Sequence, residues 1–364
     1  SMCNGSSVIY RYSQGSSMQD FKAVQPNHFL LPIGGRHQAG QLGPYQWREG
    51  LGLVLRNLLG PSLANPAAIE FMPKDIQLNE IEPSLRLGVG GDVMMMFGRE
   101  WQVDASLKDF FVDCDALLLN MEGVITDKPK KGPDQKHDAA IISQLSRLFD
   151  PHKTWLSMAN NHSADFGHAD FEQSLQQFEQ YGFHCFGLAE RPYADIANTV
   201  RVVGATQWSN KPCDYMYWLD QAPEQWIAPD RLNLLFPHWS YEMECYPRLN
   251  AVAQMQHWLG RFDAVVGSHS HTPQPVSIVE QQANYRQLAA YSLGDFCFGL
   301  GLKQWPALKH YPYGIVLKLE VGRLKQQPER FAIGRVQWSF VDCAAQPDGK
   351  TYVSRLVEHI PYFK

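Results

Sequence analysis

His269 and His271 follow a short apolar run and have the spacing of a metal-binding pair. The segment Val265–His271 reads Val-Val-Gly-Ser-His-Ser-His. In extended backbone, residues two positions apart point to the same side, so the two imidazoles are expected to converge on one point. Imidazole is the commonest metal ligand among protein side chains. The pattern therefore predicts a metal site at the end of a strand, with a polar turn as the alternative for a pair that stands alone.

Four other apolar runs also end in side chains that can bind metals or carry protons. The runs, each typical of a buried strand, are Leu85–Gly90, Ala116–Leu119, Thr154–Met158 and Leu232–Pro237. The polar side chains that follow them are Asp92, Glu122, Asn160, Asn161, His162 and His238. Ligands of open α/β sheets bind at the carboxyl ends of the strands. We therefore expect one shared site, although each motif alone could be a turn or a solvated loop.

The candidate ligands form a mixed set of oxygen and nitrogen donors. Carboxylate, amide and imidazole groups together suit Mn, Zn or Fe better than an ion that prefers thiolates or a calcium cage. One aspartate, one glutamate, one asparagine and three or four histidines make at least six candidate ligands. That number exceeds the four positions of one tetrahedral zinc ion, so the set predicts one or two divalent metal ions. A metal pair about 3.5–4 Å apart clamps an anionic oxygen and lowers the pKa of a bridging water. The expected chemistry is hydrolysis of an anionic substrate.

The elements that must position these residues alternate between strands and helices in the first half of the chain. The predicted helices cover residues 138–149, 168–181 and 249–261. The later predicted strands, joined by short turns and more typical of antiparallel pairing, cover residues 275–280, 285–292, 313–321 and 330–341. Residues 1–83 are poorly patterned apart from a helix over Trp47–Leu59. We interpret them as an N-terminal extension that wraps a layered α/β core domain over residues 84–364.

Composition excludes several classes of protein. Hydrophobic residues make up 45% of the 364 residues and charged residues 19%, which is typical of a globular protein. A net charge of −5 does not favour a nucleic-acid partner. Seven scattered cysteines without a Cys-x-x-Cys pair favour a reducing, cytoplasmic location. No apolar run approaches the ~20 residues of a membrane span. A leader or anchor before Ser1 and the oligomeric state stay open.

The motifs, taken in order, resemble those of the poly-γ-glutamate capsule-biosynthesis (CapA-type) family. The segments that carry the resemblance are Gly91–Met94, Asn120–Glu122, Ala159–Gly167, His238–Pro247, Gly267–His271 and Tyr291–Phe296. Proteins of this family are similar to the calcineurin-like metallophosphoesterases. The resemblance covers residues 85–300. It implies a four-layer α/β/β/α sandwich with metals at the carboxyl edges of the strands.

The resemblance also implies a role for each motif residue. Asp92 would bind the first metal, and Glu122 would take the place of the bridging carboxylate. Asn161 and His238 would bind the second metal, and His269 and His271 would bind one ion each. His162 would protonate the leaving group or stabilise the developing oxyanion. The residues expected to orient these ligands or to contact substrate are Asn160, Asp165, Glu242, Asp295 and Arg99.

Four positions depart from the patterns of these families. Metallophosphoesterases carry Asp-x-His at the first motif, whereas this chain has Met94 in the place of that histidine, as the capsule family does. The capsule family has Asn where this chain has Asp295 and Gly where it has Ser240. The arginine that follows the first motif in the family lies closer to it than Arg99 lies to Asp92.

Two functions are therefore expected, from different classes. The first is a metal-dependent hydrolase of the metallophosphoesterase type, in which His162 assists the leaving group at a small anionic substrate. The second is a non-hydrolytic accessory protein that binds an anionic polymer such as poly-γ-glutamate. Met94 favours the second, and His162 favours the first. The basic run Lys128–Lys131 is either a solvated loop or a collector of anionic substrate.

Overall fold

The computed structural model describes residues 47–281, 285–300 and 311–363. The helices in these ranges are α1 (Trp47–Leu59), α2 (Ala105–Phe111), α3 (Ala140–Leu148), α4 (His168–Gln180) and α5 (Leu249–Leu259). The predicted N-terminal extension is described only from Trp47 onwards, since residues 1–46 lie outside the described ranges. Its boundary with the core domain at residue 84 stays a prediction.

The strands of the described residues fall mainly into two large sheets. In the first half of the chain they are β1 (Asp75–Gln77), β2 (Ile81–Val93), β3 (Glu100–Val103), β4 (Ala116–Met121), β5 (Val124–Ile125), β6 (Lys136–His137), β7 (Thr154–Ser157), β8 (His184–Phe186) and β9 (Tyr193–Ile196). In the second half they are β10 (Val200–Thr206), β11 (Leu232–His238), β12 (Ala264–Val266), β13 (Val276–Glu280), β14 (Arg286–Ala290), β15 (Asp295–Cys297), β16 (Tyr313–Leu324), β17 (Phe331–Ala345) and β18 (Thr351–Val357).

The first sheet has the order β3-β18-β17-β16-β2-β4-β7-β8. Strands β2, β4, β7 and β8 are parallel, whereas β16, β17 and β18 pair antiparallel. The predicted antiparallel pairing near the carboxyl end of the chain is therefore confirmed for β16 and β17, whereas β18 was not among the predicted strands. The parallel half brings the ends of β2, β4 and β7 to one edge.

The second sheet has the order β13-β14-β12-β11-β10-β9. Strands β10, β11, β12 and β14 are parallel, and β9 and β13 pair antiparallel at the two margins. The parallel pairing of β14 with β12 departs from the antiparallel pattern expected after residue 272. Because β11 and β12 are neighbours, the residues that follow them emerge side by side.

The two sheets share one hydrophobic core. Strand β11 shows the alternation that this requires, since Leu234 and Phe236 join a cluster with side chains of the first sheet, while Leu235 joins a second cluster with α5. The outer face of the first sheet packs on α2, α3 and α4. Each sheet therefore has one face on the other sheet and one face on helices. The mixed α/β fold predicted from the sequence is confirmed.

Two close backbone approaches hold the edge of the first sheet where the candidate residues lie. Strand β15 pairs parallel with the end of β2, which sets Asp295 beside Asp92. The approach requires a glycine, because a Cβ atom on Gly91 would lie 2.0 Å from the carbonyl oxygen of Gly294.

Among the helices of the described ranges, none has the length and apolar character needed to cross a membrane.

Candidate metal centre

The strand ends of both sheets deliver the predicted site residues to one buried region. Asp92 is the next-to-last residue of β2, Glu122 follows β4, and Asn161 and His162 follow β7 in the first sheet. His238 ends β11 and His269 follows β12 in the second sheet. The side chains of these six residues and of His271 are buried, with His162 the most exposed at 6%. The expectation that separate motifs form one site thus agrees with the structure.

The first cluster consists of Asp92, Glu122 and His271. One ligand atom from each residue lies within 4.8 Å of the others. His271 Nε2 is 3.7 Å from Glu122 Oε1, and its Nδ1 is 4.0 Å from Asp92 Oδ2. Two carboxylates and an imidazole at these separations can bind one divalent cation.

Glu122 is the least satisfied polar group of the cluster. Its side chain is fully buried, and neither carboxylate oxygen has a hydrogen-bond partner among the described residues. Burial and the neighbouring carboxylate of Asp92 raise the pKa of Glu122 well above its ordinary value. A buried carboxylate without donors costs free energy unless a cation or a proton neutralises it. The donor set therefore fits a metal ion, which would supply the missing partner.

A second cluster consists of Glu242, His269 and His271, with ligand atoms within 4.8 Å of one another. Glu242 Oε1 lies 3.9 Å from His269 Nε2. Burial lowers the pKa of His269, and the neighbouring His271 lowers it further. The imidazole of His269 is therefore neutral, as a metal ligand must be. The sequence predicted Glu242 as a residue that orients the ligands or contacts substrate, whereas this geometry also allows it to bind a metal.

Asn161 and His238, the two predicted ligands of the second metal, face each other directly. His238 Nε2 lies 2.7 Å from Asn161 Oδ1, and His238 Nδ1 lies 2.9 Å from Ser268 Oγ. The rings of His238 and His269 have their centres 4.6 Å apart. Burial and the neighbouring His269 lower the pKa of His238 well below its ordinary value. The second group of candidates therefore offers two neutral imidazoles and an amide oxygen.

The Nε2 atom of His162 points towards the first cluster, and a carboxylate contacts the other ring nitrogen. Its Nε2 lies 3.7 Å from Glu122 Oε1, while its Nδ1 lies 2.6 Å from Asp165 Oδ2. Such a carboxylate fixes the orientation of the ring. Asn210, which the sequence did not predict, also contacts both motif residues: its side chain lies 3.0 Å from His162 Nδ1 and 3.2 Å from Asn161 Nδ2. This arrangement leaves His162 Nε2 available to transfer a proton.

Three polar residues behind the ligands orient them. Asp295 Oδ1 lies 2.8 Å from His271 Nδ1, a carboxylate–histidine contact that is common behind metal sites. Burial raises the pKa of Asp295 to about 7, and the interaction with His271 opposes that rise. Asn120, also missed from the sequence, donates to Asp92 Oδ1 at 2.7 Å. Asn160 donates to the carbonyl oxygen of Met121 at 2.7 Å, which ties the β7 loop to β4.

The backbone of the His-x-His segment differs from the extended conformation expected from the sequence. Strand β12 ends at Val266, and His269 and His271 have positive φ angles of 103° and 52°. The expectation that both rings point to the same side of a strand is therefore wrong in its geometry. The rings still converge, with centres 5.9 Å apart, because the loop turns them to different carboxylates. Such strained backbone is concentrated at functional sites.

Arg99 is the one predicted site residue that lies apart from the others. Its guanidinium group lies 5.7 Å from the ring centre of Tyr352. It lines a separate cavity of about 360 Å³ together with His137 and Arg147. The six residues between Asp92 and Arg99 carry the chain through the β2–β3 turn and away from the sheet edge. The structure therefore does not place Arg99 where it could contact a substrate at the metal cluster.

A cleft of about 650 Å³ opens onto the site, with His162, His271 and Glu242 in its lining. Lys130, from the basic run, also lines the cleft, as does Lys211. Gly50 and Leu53 of α1 form part of the opposite wall. Access to the site therefore passes between a basic loop and the described end of the N-terminal extension.

His137, behind the site, predicts a pH dependence of stability. Its buried ring donates from Nε2 to the carbonyl oxygen of Glu122 at 2.8 Å, and burial lowers its pKa to about 4. Between pH 6.5 and 4 the unfolded chain binds a proton that the folded protein excludes, so stability falls as the pH falls. The variant His137→Gln keeps a hydrogen-bond donor but has no group that titrates in this range. We expect it to lose about 2–3 kcal/mol less of its free energy of unfolding than wild type between pH 7 and pH 4.5, as measured by urea unfolding at both pH values. An unchanged slope, equal to that of the exposed control His184→Gln, would contradict the assignment.

Residues 86–208 match a protein family described as bacterial capsule synthesis protein PGA_cap. No curated protein matches the chain. Among solved structures, the chain is similar to the calcineurin-like phosphoesterase YfkN from Bacillus subtilis, with 13% identity, a TM-score of 0.37, and coverage of 71% of this chain and 91% of that one. A second similar structure is a protein serine/threonine phosphatase from Saccharomyces cerevisiae with similarity to human phosphatase PP5, with 11% identity, a TM-score of 0.30, and coverage of 73% and 82%.

The family match spans the part of the chain that contributes half of the buried site. Asp92, Glu122, Asn161 and His162 all lie within residues 86–208. These four residues come from the ends of β2, β4 and β7, which are neighbours in the first sheet. Through this segment the chain is similar to the bacterial capsule synthesis proteins, and the resemblance that the motifs predicted is confirmed.

Proposed function

We propose that this protein is a metal-dependent hydrolase that acts on a phosphoester or a related anionic ester. The observation that carries the proposal is the buried carboxylate of Glu122, whose two oxygens have no hydrogen-bond partner among the described residues. It lies between Asp92 and His271, with the candidate proton donor His162 beside it. A purely structural cluster of this kind would be expected to satisfy that carboxylate with donors of the protein itself.

The proposed roles follow from the two clusters. Asp92, Glu122 and His271 would hold one divalent ion. The residues that would hold a second ion are Asn161, His238, His269 and Glu242. Bound Mn, Zn or Fe would supply an activated water and a positive charge for the developing oxyanion. The chain's own residues orient the ligands and exclude bulk water, since the ligand side chains other than Glu242 are buried.

His162 is the proposed general acid. Its Nε2 faces the cluster while Asp165 accepts from Nδ1, so the ring is held in one orientation. A proton passes from Nε2 to the leaving oxygen as the ester bond breaks. The leaving group would depart into the cleft, since His162 lines it.

Metal analysis combined with turnover of an aryl phosphate tests the proposal. Purified protein supplied with Mn or Zn is expected to retain metal after desalting and to hydrolyse the ester. His238→Ala removes a buried candidate ligand and is expected to lower turnover by at least 100-fold together with the metal content. The exposed His184, which stacks on Trp155, provides the control variant His184→Ala. Equal, background-level turnover in wild type and His238→Ala would overturn the proposal.

A second candidate function is supported by Met94 and by the family match. Met94 lines the cleft, and it stands in the place of the metal-binding histidine of the metallophosphoesterase pattern. A site with one weaker metal position could bind an anionic polymer, such as the poly-γ-glutamate suggested by the capsule-synthesis family, without cleaving it. Stoichiometric metal without hydrolysis of phosphoesters or glutamyl peptides would support this accessory role over the enzyme.

A further inference from the structure

The cleft above the metal centre has an aromatic row that leads outwards from His271. The ring of Tyr311 is centred 5.7 Å from that of His271, Phe298 lies 5.6 Å beyond Tyr311, and Phe97 lies 6.0 Å beyond Phe298. All three rings of the row line the cleft. An apolar surface of this extent, starting at a candidate metal ligand, suits a flat apolar body attached to the reacting group.

A cation stands at the outer end of the aromatic row. Lys130 Nζ lies 5.8 Å from the ring centre of Phe97 and donates to the carbonyl oxygen of Gly132 at 2.5 Å. Within the described ranges no carboxylate pairs with Lys130. The other lysine in the cleft, Lys211, is 3.8 Å from Asp134 Oδ1 and is therefore partly neutralised. Lys130 is thus the charge in the cleft that is free to bind an anion.

Helix α1 covers the opposite side of the row and is tied to it by hydrogen bonds. Leu53 packs against the cluster that contains Phe298 and Tyr311. Asn57 accepts from the hydroxyl group of Tyr311, and Arg56 Nε donates to the carbonyl oxygen of Glu242 at 3.0 Å. These contacts hold Leu53 against the row, so that it adds an apolar side chain to the lining of the cleft.

We propose that the cleft selects a ligand with two anionic ends joined by an apolar, aromatic-sized body. One anionic end lies at the metal centre, the body lies along the aromatic row under Leu53, and the second anionic end pairs with Lys130. The proposal rests on the proposed function only for the assignment of the first anion to the metal centre. A uniformly charged polymer fits less well, because its charges would have to cross the apolar row without partners.

Binding of two non-hydrolysable phosphonates tests this assignment. The probes are biphenylmethylphosphonate and the same compound with a terminal carboxylate, titrated calorimetrically into the Mn-supplied protein. Wild type is expected to bind the carboxylated probe about 10-fold more tightly, which is the contribution of one charge-assisted contact. Lys130→Gln is expected to remove this difference and to leave the affinity for biphenylmethylphosphonate, which lacks the carboxylate, unchanged. Lys131→Gln, at the neighbouring exposed position outside the cleft, is expected to keep the difference.

The apolar wall is tested on the same helix. Leu53→Ala is expected to weaken both probes about 5- to 10-fold, since a buried leucine contact is worth about that much. Leu51→Ala, whose side chain faces away and is 57% exposed, is expected to bind both probes like wild type. Equal affinity of wild type for the two probes, or an unchanged preference in Lys130→Gln, would overturn the proposal. Tight, Lys130-dependent binding without turnover of any ester would instead overturn the hydrolase proposal and leave this one standing.

Discussion

His162→Ala is expected to lower kcat by about 10²- to 10⁴-fold without changing the metal content, because it removes the proposed general acid but no proposed ligand. The structural basis is the 2.6 Å contact of His162 Nδ1 with Asp165 Oδ2, which leaves Nε2 directed at the cluster. The measurement is kcat for two phosphate esters of different leaving groups. The loss should be larger for an alkyl ester than for an aryl ester, since the poorer leaving group depends more on protonation.

His168→Ala is the matched control for this variant. His168 lies at the start of α4, six residues after His162, and its side chain is 57% exposed and stacks on Tyr215. We expect it to behave like wild type with both esters. Asp165→Asn should give an intermediate loss and a shifted pH profile, because it orients His162 without contacting the reacting atoms. An equal loss with both esters in His162→Ala would contradict the role of proton donor.

The positions of the site residues at strand ends could be predicted because parallel strands have a simple geometry. An apolar run such as Leu232–Pro237 can only be a buried strand of about that length, and the residue after it must emerge at the carboxyl edge. The structure ends β11 at His238 and places Asn161 Oδ1 2.7 Å from its ring. The strand ends predicted a shared edge, and the family resemblance implied that these two residues, 77 positions apart, bind the same metal.

Other parts of the site depend on tertiary contacts that leave no local pattern. Asn210 follows β10 in a loop without a recognisable motif, yet it contacts both Asn161 and His162. Asn120 belongs to one of the motifs that carry the family resemblance, yet nothing in that motif shows that its amide donates to Asp92. Arg99 illustrates the opposite case: the family resemblance implied a substrate contact, although its spacing from Asp92 departs from the family, and its guanidinium group lies 5.7 Å from the ring centre of Tyr352. Spacing along a loop does not determine where the loop goes.

The contribution of α1 was also outside the reach of the sequence. Its bounds, Trp47–Leu59, are those predicted from the apolar spacing. Nothing in the spacing showed, however, that Leu53 would line the cleft or that Arg56 would bond to the backbone of Glu242. A helical pattern defines which residues share a face, whereas the partner of that face depends on the whole fold. The described part of the extension therefore belongs to the site region.

Glu122→Gln is expected to have opposite effects with and without metal. In metal-free protein the substitution replaces a buried carboxylate that has no hydrogen-bond partner among the described residues by a neutral side chain of the same shape. We expect the free energy of unfolding of the metal-free variant to be about 1–3 kcal/mol higher than that of wild type, which raises Tm by several degrees. With Mn present, wild type should gain stability, since metal binds the folded state, whereas the variant should gain little. Differential scanning calorimetry with chelator and with Mn provides the measurement.

The expected gain in metal-free protein has a definite pH dependence and a matched control. Burial raises the pKa of Glu122 well above its ordinary value of 4.5, so above that pH the unfolded chain releases a proton that the folded protein keeps. The wild-type protein therefore loses stability as the pH rises above about 4.5, and the advantage of Glu122→Gln should grow with that rise. Glu244, buried nearby, pairs with Arg248 at 2.6 Å, so Glu244→Gln should instead lower Tm. A lower Tm for metal-free Glu122→Gln at pH 8 would show that the carboxylate is satisfied within the protein, and the argument for a cation at this position would be lost.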